Sequence, residues 1–168
     1  MMLTVSEVCS LIPKECDDWL TSIGYYTKPA SIRYHGIKSG DLYRHCTELA
    51  IQLQNLTDKL DLVWERQESP IIIGLLHDVC KCDDYGINPR TRKWAYNPDR
   101  IVGHGDKSVR MLLGHIELTG EEIMCIQYHM GAFVDKEEWS DYTKAVKKYP
   151  NVLYTHTADM IASQILGI

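Results

Sequence analysis

The stretch Ser69-Pro70-Ile71-Ile72-Ile73-Gly74-Leu75-Leu76-His77-Asp78-Val79-Cys80-Lys81 constrains the fold more than any other. Ser69 is a residue type that accepts a backbone N–H as an N-cap, and Pro70 suits the first helical position, where its missing donor matters least. The next six residues are apolar on every side apart from Gly74. They predict a helix running through the core, with the glycine admitting a close neighbour. His77 and Asp78 end that helix, and Lys81 lies one turn on. An imidazole and a carboxylate where a buried helix ends each cost free energy to bury unless something satisfies them. A divalent metal ion satisfies both.

The length of 168 residues fits one domain with a substantial core, and 45% hydrophobic with 24% charged residues excludes a disordered chain. A net charge of −5 argues against a general nucleic-acid coat. Arg90, Arg92, Lys93, Arg100 and Lys107 form either a local basic groove or a solvated loop. No apolar run approaches a membrane span and the first residues lack a signal-peptide pattern, so a cytoplasmic protein is expected. Cysteines at 9, 16, 46, 80, 82 and 125 fit neither a disulfide framework nor a zinc knuckle. Cys80 and Cys82 are read as small buried thiols in a reducing compartment, in preference to soft-metal ligands.

Along the chain, residues 4–23 show helical spacing broken by Pro13, which predicts two short helices. Residues 24–40 read as an irregular loop. A helix over 41–56 puts His45 in the apolar stripe of Leu42, Leu49 and Leu53. Residues 57–64 are a short connection or helix, and 81–103 a long loop or small hairpin. Asp106 is placed to cap a helix reaching about Ile116, with His104 just before it. Thr119 and Glu122 form a capping box, and the helix they open carries His129 before Gly131 closes it. Helices over 139–149 and 151–166 follow, the last with His156 and Asp159 on one face. Nearly every element is helical, so the fold class is all-α, a globular bundle.

His45, His77, Asp78, His104, His129 and Asp159 thus lie on five separate elements, at helix ends or within apolar stripes. Imidazole and carboxylate are the usual ligands of Zn, Mn, Fe, Ni and Co. In this order the residues resemble the HD-domain superfamily of metal-dependent phosphohydrolases, over roughly residues 30–165. Pro29-Ala30-Ser31, Tyr34-His35-Gly36 and Gly40-Asp41-Leu42-Tyr43-Arg44-His45 are similar to the entry segment of HD-domain 3′→5′ exoribonucleases and of related bacterial and phage hydrolases. His77-Asp78-Val79-Cys80-Lys81 resembles the HD-x-x-K form of the motif. His104-Gly105-Asp106-Lys107-Ser108 and Thr157-Ala158-Asp159-Met160-Ile161-Ala162-Ser163 resemble later stretches of those proteins.

The resemblance implies an HD-domain helical bundle across 1–168, with a helical extension over 1–28 and the HD core over 29–168. It implies that His45, His77, Asp78 and Asp159 hold one metal and that His104 and His129 add a second, with Asp78 bridging. The implied activity is hydrolysis of a phosphate ester of a nucleotide or related small molecule, with a hydroxide held by one or two divalent ions (Mn, Fe, Co, Ni or Zn) as nucleophile. Asp78 and Lys81 are the candidate catalytic residues. Lys81 either reaches a phosphate oxygen or is a solvent-facing lysine favoured by the helix dipole. Arg33 and His35 are candidate substrate contacts or loop surface, and His156 faces substrate or hydrogen-bonds behind a ligand. His115 is read as structural, and Tyr128 and Trp94 as packing residues able to stack on a base. A nucleic-acid 3′ end is the lesser partner, no membrane is expected, and self-association is open. Missing features count too: no Glu-Asp follows His77-Asp78 as in alarmone hydrolases, and no β-barrel precedes the domain as in the exoribonucleases. Two rival readings share the residues: a mixed-valence di-iron oxygenase of the same superfamily, and a non-catalytic nucleotide-binding protein.

Overall fold

The computed structural model describes residues 11–34 and 36–168, and these are mostly helical. In chain order the helices are α1 (Lys14–Ser22), α2 (Asp41–Leu60), α3 (Ser69–Leu76), the single turn α4 (Lys81–Asp84), α5 (Gly105–Leu112), α6 (Gly120–Gln127), α7 (Trp139–Lys148) and α8 (Asn151–Met160). A wider π-type turn over Ile161–Ile165 extends α8. Strands β1 (Tyr85–Ile87) and β2 (Trp94–Tyr96) pair antiparallel, Tyr85 opposite Tyr96 and Ile87 opposite Trp94. Residues 81–103 are therefore a helical turn and a small hairpin. Most of the helix expected before Pro13 lies outside the described residues. Among the described residues, no helix is long and apolar enough to cross a membrane.

Every residue of α3 is buried, as its all-round apolarity requires, and α2 is its main neighbour. Gly74 sets that approach: a Cβ there would stand 2.3 Å from Ala50 Cα, so the two backbones meet without side chains between them. The same device brings α5 to α6, where a Cβ on Gly105 would stand 2.1 Å from the Gln127 carbonyl oxygen. These contacts set the end of α3 against the middle of α2 and the start of α5 against the end of α6. From the N-terminal side, Cys16 and Leu20 of α1 join the core and Tyr25 donates its hydroxyl proton to the Leu75 carbonyl.

Glu122 ties the N-termini of α3 and α6 together. Its buried carboxylate accepts from Arg66 Nε and Nη2, each at 2.7 Å, from Ser69 Oγ at 2.8 Å and from the Thr119 backbone at 2.9 Å. The capping box is present, with Glu122 N–H on Thr119 Oγ1 at 3.2 Å. Ser69, however, does not cap α3, because its hydroxyl is given to Glu122 instead.

Three further expectations are corrected. Helix α2 passes Leu56 to reach Leu60, ended by Asp61 in the left-handed region at φ 50°. Helix α5 stops at Leu112 short of Ile116, and Gly114 follows at φ +89°. Lys107 belongs to no surface groove: it is buried and its ammonium lies 2.6 Å from Asp83 and 2.7 Å from Asp84. This pair fastens the hairpin's base to α5.

Candidate metal centre

Helices α3 and α6 end alike. The last carbonyls of a helix lack partners within it. His77 Nδ1 donates to the Gly74 carbonyl at 2.9 Å, and His129 Nδ1 to the Ile126 carbonyl at 2.7 Å, each three residues back. A carbonyl only accepts, so each ring carries its proton on Nδ1 and turns the Nε2 lone pair inward. His45, on α2, does the same with the Ile168 carbonyl at 2.9 Å. His104, at the start of α5, has a thiol partner: its Nδ1 lies 3.3 Å from Cys80 Sγ.

The four Nε2 atoms converge on Asp78. His45 and His77 stand 3.3 Å apart at Nε2, and His104 and His129 3.0 Å apart. Asp78 Oδ1 lies 3.3 Å from His104 and 3.6 Å from His129, while Oδ2 lies 3.7 Å from His77 and 3.8 Å from His45. Asp159, on α8, brings Oδ1 to 3.2 Å from His45. Asp78 Oδ1 is buried and receives no hydrogen bond. Lone pairs facing one another across such gaps repel unless a cation lies between them. Ligands on metal bonds of ~2.0–2.1 Å stand about 2.8–3.4 Å apart in octahedral or tetrahedral arrangements, the range in which the closest of these atoms are spaced. The groups His45–His77–Asp78 and Asp78–Cys80–His104 each bring one ligand atom per residue within 4.8 Å of one another. The residues fit a metal ion.

The charges are arranged to match. Burial pushes the Asp78 carboxyl up, but the Lys81 ammonium, then His77 and His104, hold it well below the usual carboxylate range. Burial drives His77 down to about 4 and His104 to about 3, so both are neutral imidazoles at neutral pH. Burial also opposes charge on His45 and His129, yet Asp159 and Asp78 keep both raised. Burial raises Asp159, but its bond to His45 together with the nearby His77 and His129 holds it at about 2. Of the six side chains, His104 at 28% and Asp159 at 13% are the most exposed, so solvent reaches the cluster on their side.

Lys81 is half-buried, with its ammonium 5.8 Å from the centre of the Tyr85 ring, and is no freely solvated helix-end lysine. His156 donates from Nδ1 to the His129 carbonyl at 2.8 Å, supporting the backbone of a cluster residue. Gly131, at φ +57°, leaves it room, since a Cβ there would stand 2.5 Å from the ring. Arg33 is exposed and lies against Tyr96 at 5.8 Å, without a hydrogen bond or ion pair to the six clustered side chains. His35 falls outside the described residues. His115 stacks on Trp19 with ring centres 3.9 Å apart, and Tyr128 lines an apolar hollow of about 340 Å³ with Ile123, Met124 and Ala145. Trp94 Nε1–H donates to Ser39 Oγ at 3.1 Å.

Cys80, placed below the candidate ligands on sequence grounds, stands closer to them than that ranking implied. It is a buried thiol as expected, but it faces His104 and belongs to one of the two ligand groups. Its signal was its place in the turn just after Asp78. No family model matches the chain, and no curated protein or solved structure matches it either.

Proposed function

We propose that this chain is a metal-dependent phosphohydrolase of the HD-domain superfamily, cleaving a phosphate ester of a nucleotide or related small molecule with one or two ions of Mn, Fe, Co, Ni or Zn. The observation that supports this most is the convergence of four tethered imidazoles and Asp159 on Asp78, with access on the His104 and Asp159 side. On this reading His45, His77, Asp78 and Asp159 serve one ion and His104 and His129 another, with Asp78 between; the close Nε2 pairs His45–His77 and His104–His129 support the division.

A divalent ion bound there supplies Lewis acidity toward a phosphoryl oxygen and lowers the pKa of water. The chain's own residues do the positioning. Nδ1 tethers hold the imidazoles in one tautomer, so no reorientation is needed on binding. Asp78 presents both carboxylate oxygens, one to each pair of histidines. Lys81 sets a fixed positive charge beside Asp78, suited to a non-bridging phosphoryl oxygen.

The test is metal content per chain, by elemental analysis of protein purified without chelator, with phosphate release from a nucleotide panel in added Mn, Co, Ni or Fe. One or two ions with phosphate release, both lost in Asp78→Ala, is the expected result. Absence of metal, full turnover in Asp78→Ala, or iron-dependent oxygen uptake without phosphate release overturns the proposal.

A further inference from the structure

The hairpin follows the turn α4, whose first residue Lys81 lies one helical turn beyond Asp78, and it continues the positive charge of that lysine. Lys81 lies against the Tyr85 ring at 5.8 Å, Tyr85 meets Tyr96 with centres 5.5 Å apart, and Tyr96 holds two guanidinium groups, Arg100 at 4.6 Å and Arg33 at 5.8 Å. Among the described residues, no carboxylate lies within 4.0 Å of Lys81, Arg33 or Arg100. Of the acids near these bases in sequence, Asp83 and Asp84 are engaged by Lys107, Asp78 belongs to the cluster, and Asp99, beside Arg100, lies within 4.0 Å of none of the three. Arg90, Arg92 and Lys93 stand exposed at the hairpin tip. In a chain of net charge −5 this is a local concentration of base.

An aromatic face offsets a guanidinium charge only in part, and two guanidiniums against one ring repel each other. An anion laid along the strip relieves both. Arginine on a ring also keeps its planar donor fork free for phosphate oxygens. We infer that Lys81, Arg33 and Arg100 form a binding strip for phosphate groups linked in line beyond the one at the metal centre, so that the ligand carries two or more linked phosphates. This rests on the phosphohydrolase reading for the first phosphate, and it makes a separate claim about the rest. Lys81 spans the phosphate at the centre and the next one, and Arg33 with Arg100 take the distal one.

Inorganic phosphate and inorganic triphosphate, titrated calorimetrically into the full chain, separate the two. Wild type binds triphosphate at least about tenfold more tightly than phosphate, and R33Q/R100Q, altered only at exposed positions, loses about tenfold for triphosphate while phosphate binding and metal content hold. Raising the salt concentration erodes the preference. Equal affinities in wild type, or a preference that survives in R33Q/R100Q, overturns the inference. The same titration on chelator-treated protein keeps the claims apart. A preference for triphosphate that depends on the two arginines supports the strip even where no phosphate release is found, and phosphate release without that preference overturns the strip alone.

Discussion

Three of the four clustered imidazoles give their Nδ1 proton to a backbone carbonyl, which no substitution removes; His104 alone faces a side chain, the Cys80 thiol. When His104 binds through Nε2, Nδ1 must carry the proton and Sγ must accept it. Loss of such an outer partner lowers metal affinity about 10- to 100-fold. Cys80→Ala should therefore weaken one bound ion by that factor in a chelator-competition titration, while Cys80→Ser retains most of the affinity. Equal affinity in Cys80→Ala would mean that the thiol does not orient the ring. That these six residues meet was legible in sequence, because imidazole and carboxylate in apolar contexts demand a partner. Cys80 was not legible, since a buried thiol satisfies packing as well as it satisfies an imidazole, and only the fold tells the two apart. Lys107 was misread for a related reason: its carboxylates lie 23 and 24 residues earlier, on a turn whose position no local pattern gives. Lys107→Met leaves Asp83 and Asp84 without their cation. It should lower the unfolding free energy by about 2 kcal/mol in urea denaturation, less than a fully buried pair because Asp83 is partly exposed.

At the scale of elements, periodicity located the helices and failed at their ends. The apolar stripe of α2 and the all-apolar α3 announced themselves, and the Thr119–Glu122 box fixed the start of α6. The end of α2 was hidden because an aspartate, Asp61, takes the left-handed position where glycine is the usual marker. Ser69 has the chemistry of a cap, yet a buried carboxylate 53 residues away competes for its hydroxyl and wins. What the sequence could state about Gly74 was that something approaches closely; that Ala50 does so is a property of the packed pair. A Cβ at 74 meets the Cα, N and Cβ of Ala50 at 2.3–2.5 Å, so α3 must move bodily. Gly74→Ala should destabilise by about 3 kcal/mol and displace His77, with loss of bound metal. Adding Ala50→Gly removes only the Cβ contact and should not restore stability, since the backbone contacts remain. Full rescue in urea denaturation would show that the interface yields more easily than its spacing indicates.

The six clustered side chains come from α2, from the turn after α3, from the start of α5, from the end of α6 and from α8, so any ion they hold joins elements that otherwise touch mainly in pairs. Binding of that kind is confined to the folded chain, because the unfolded chain scatters the ligands over more than a hundred residues. Stability then rises as RT ln(1 + [L]/Kd), about 2.7 kcal/mol at a free metal concentration a hundredfold above Kd. For a chain of this length each kcal/mol is worth ~2–4 °C, so calorimetric scans should show a Tm about 5–10 °C higher with metal than after chelation. Chelation also leaves Asp78 Oδ1 buried without a hydrogen bond and the inward lone pairs uncompensated, which adds to the loss. Re-adding Mn or Zn restores the Tm of wild type. Asp78→Ala removes the one residue that faces both histidine pairs, and its Tm should not respond to metal at all. A chain that contains stoichiometric metal yet melts at the same temperature after chelation would place the ion outside this cluster, because an ion anchoring five elements cannot leave without loosening them.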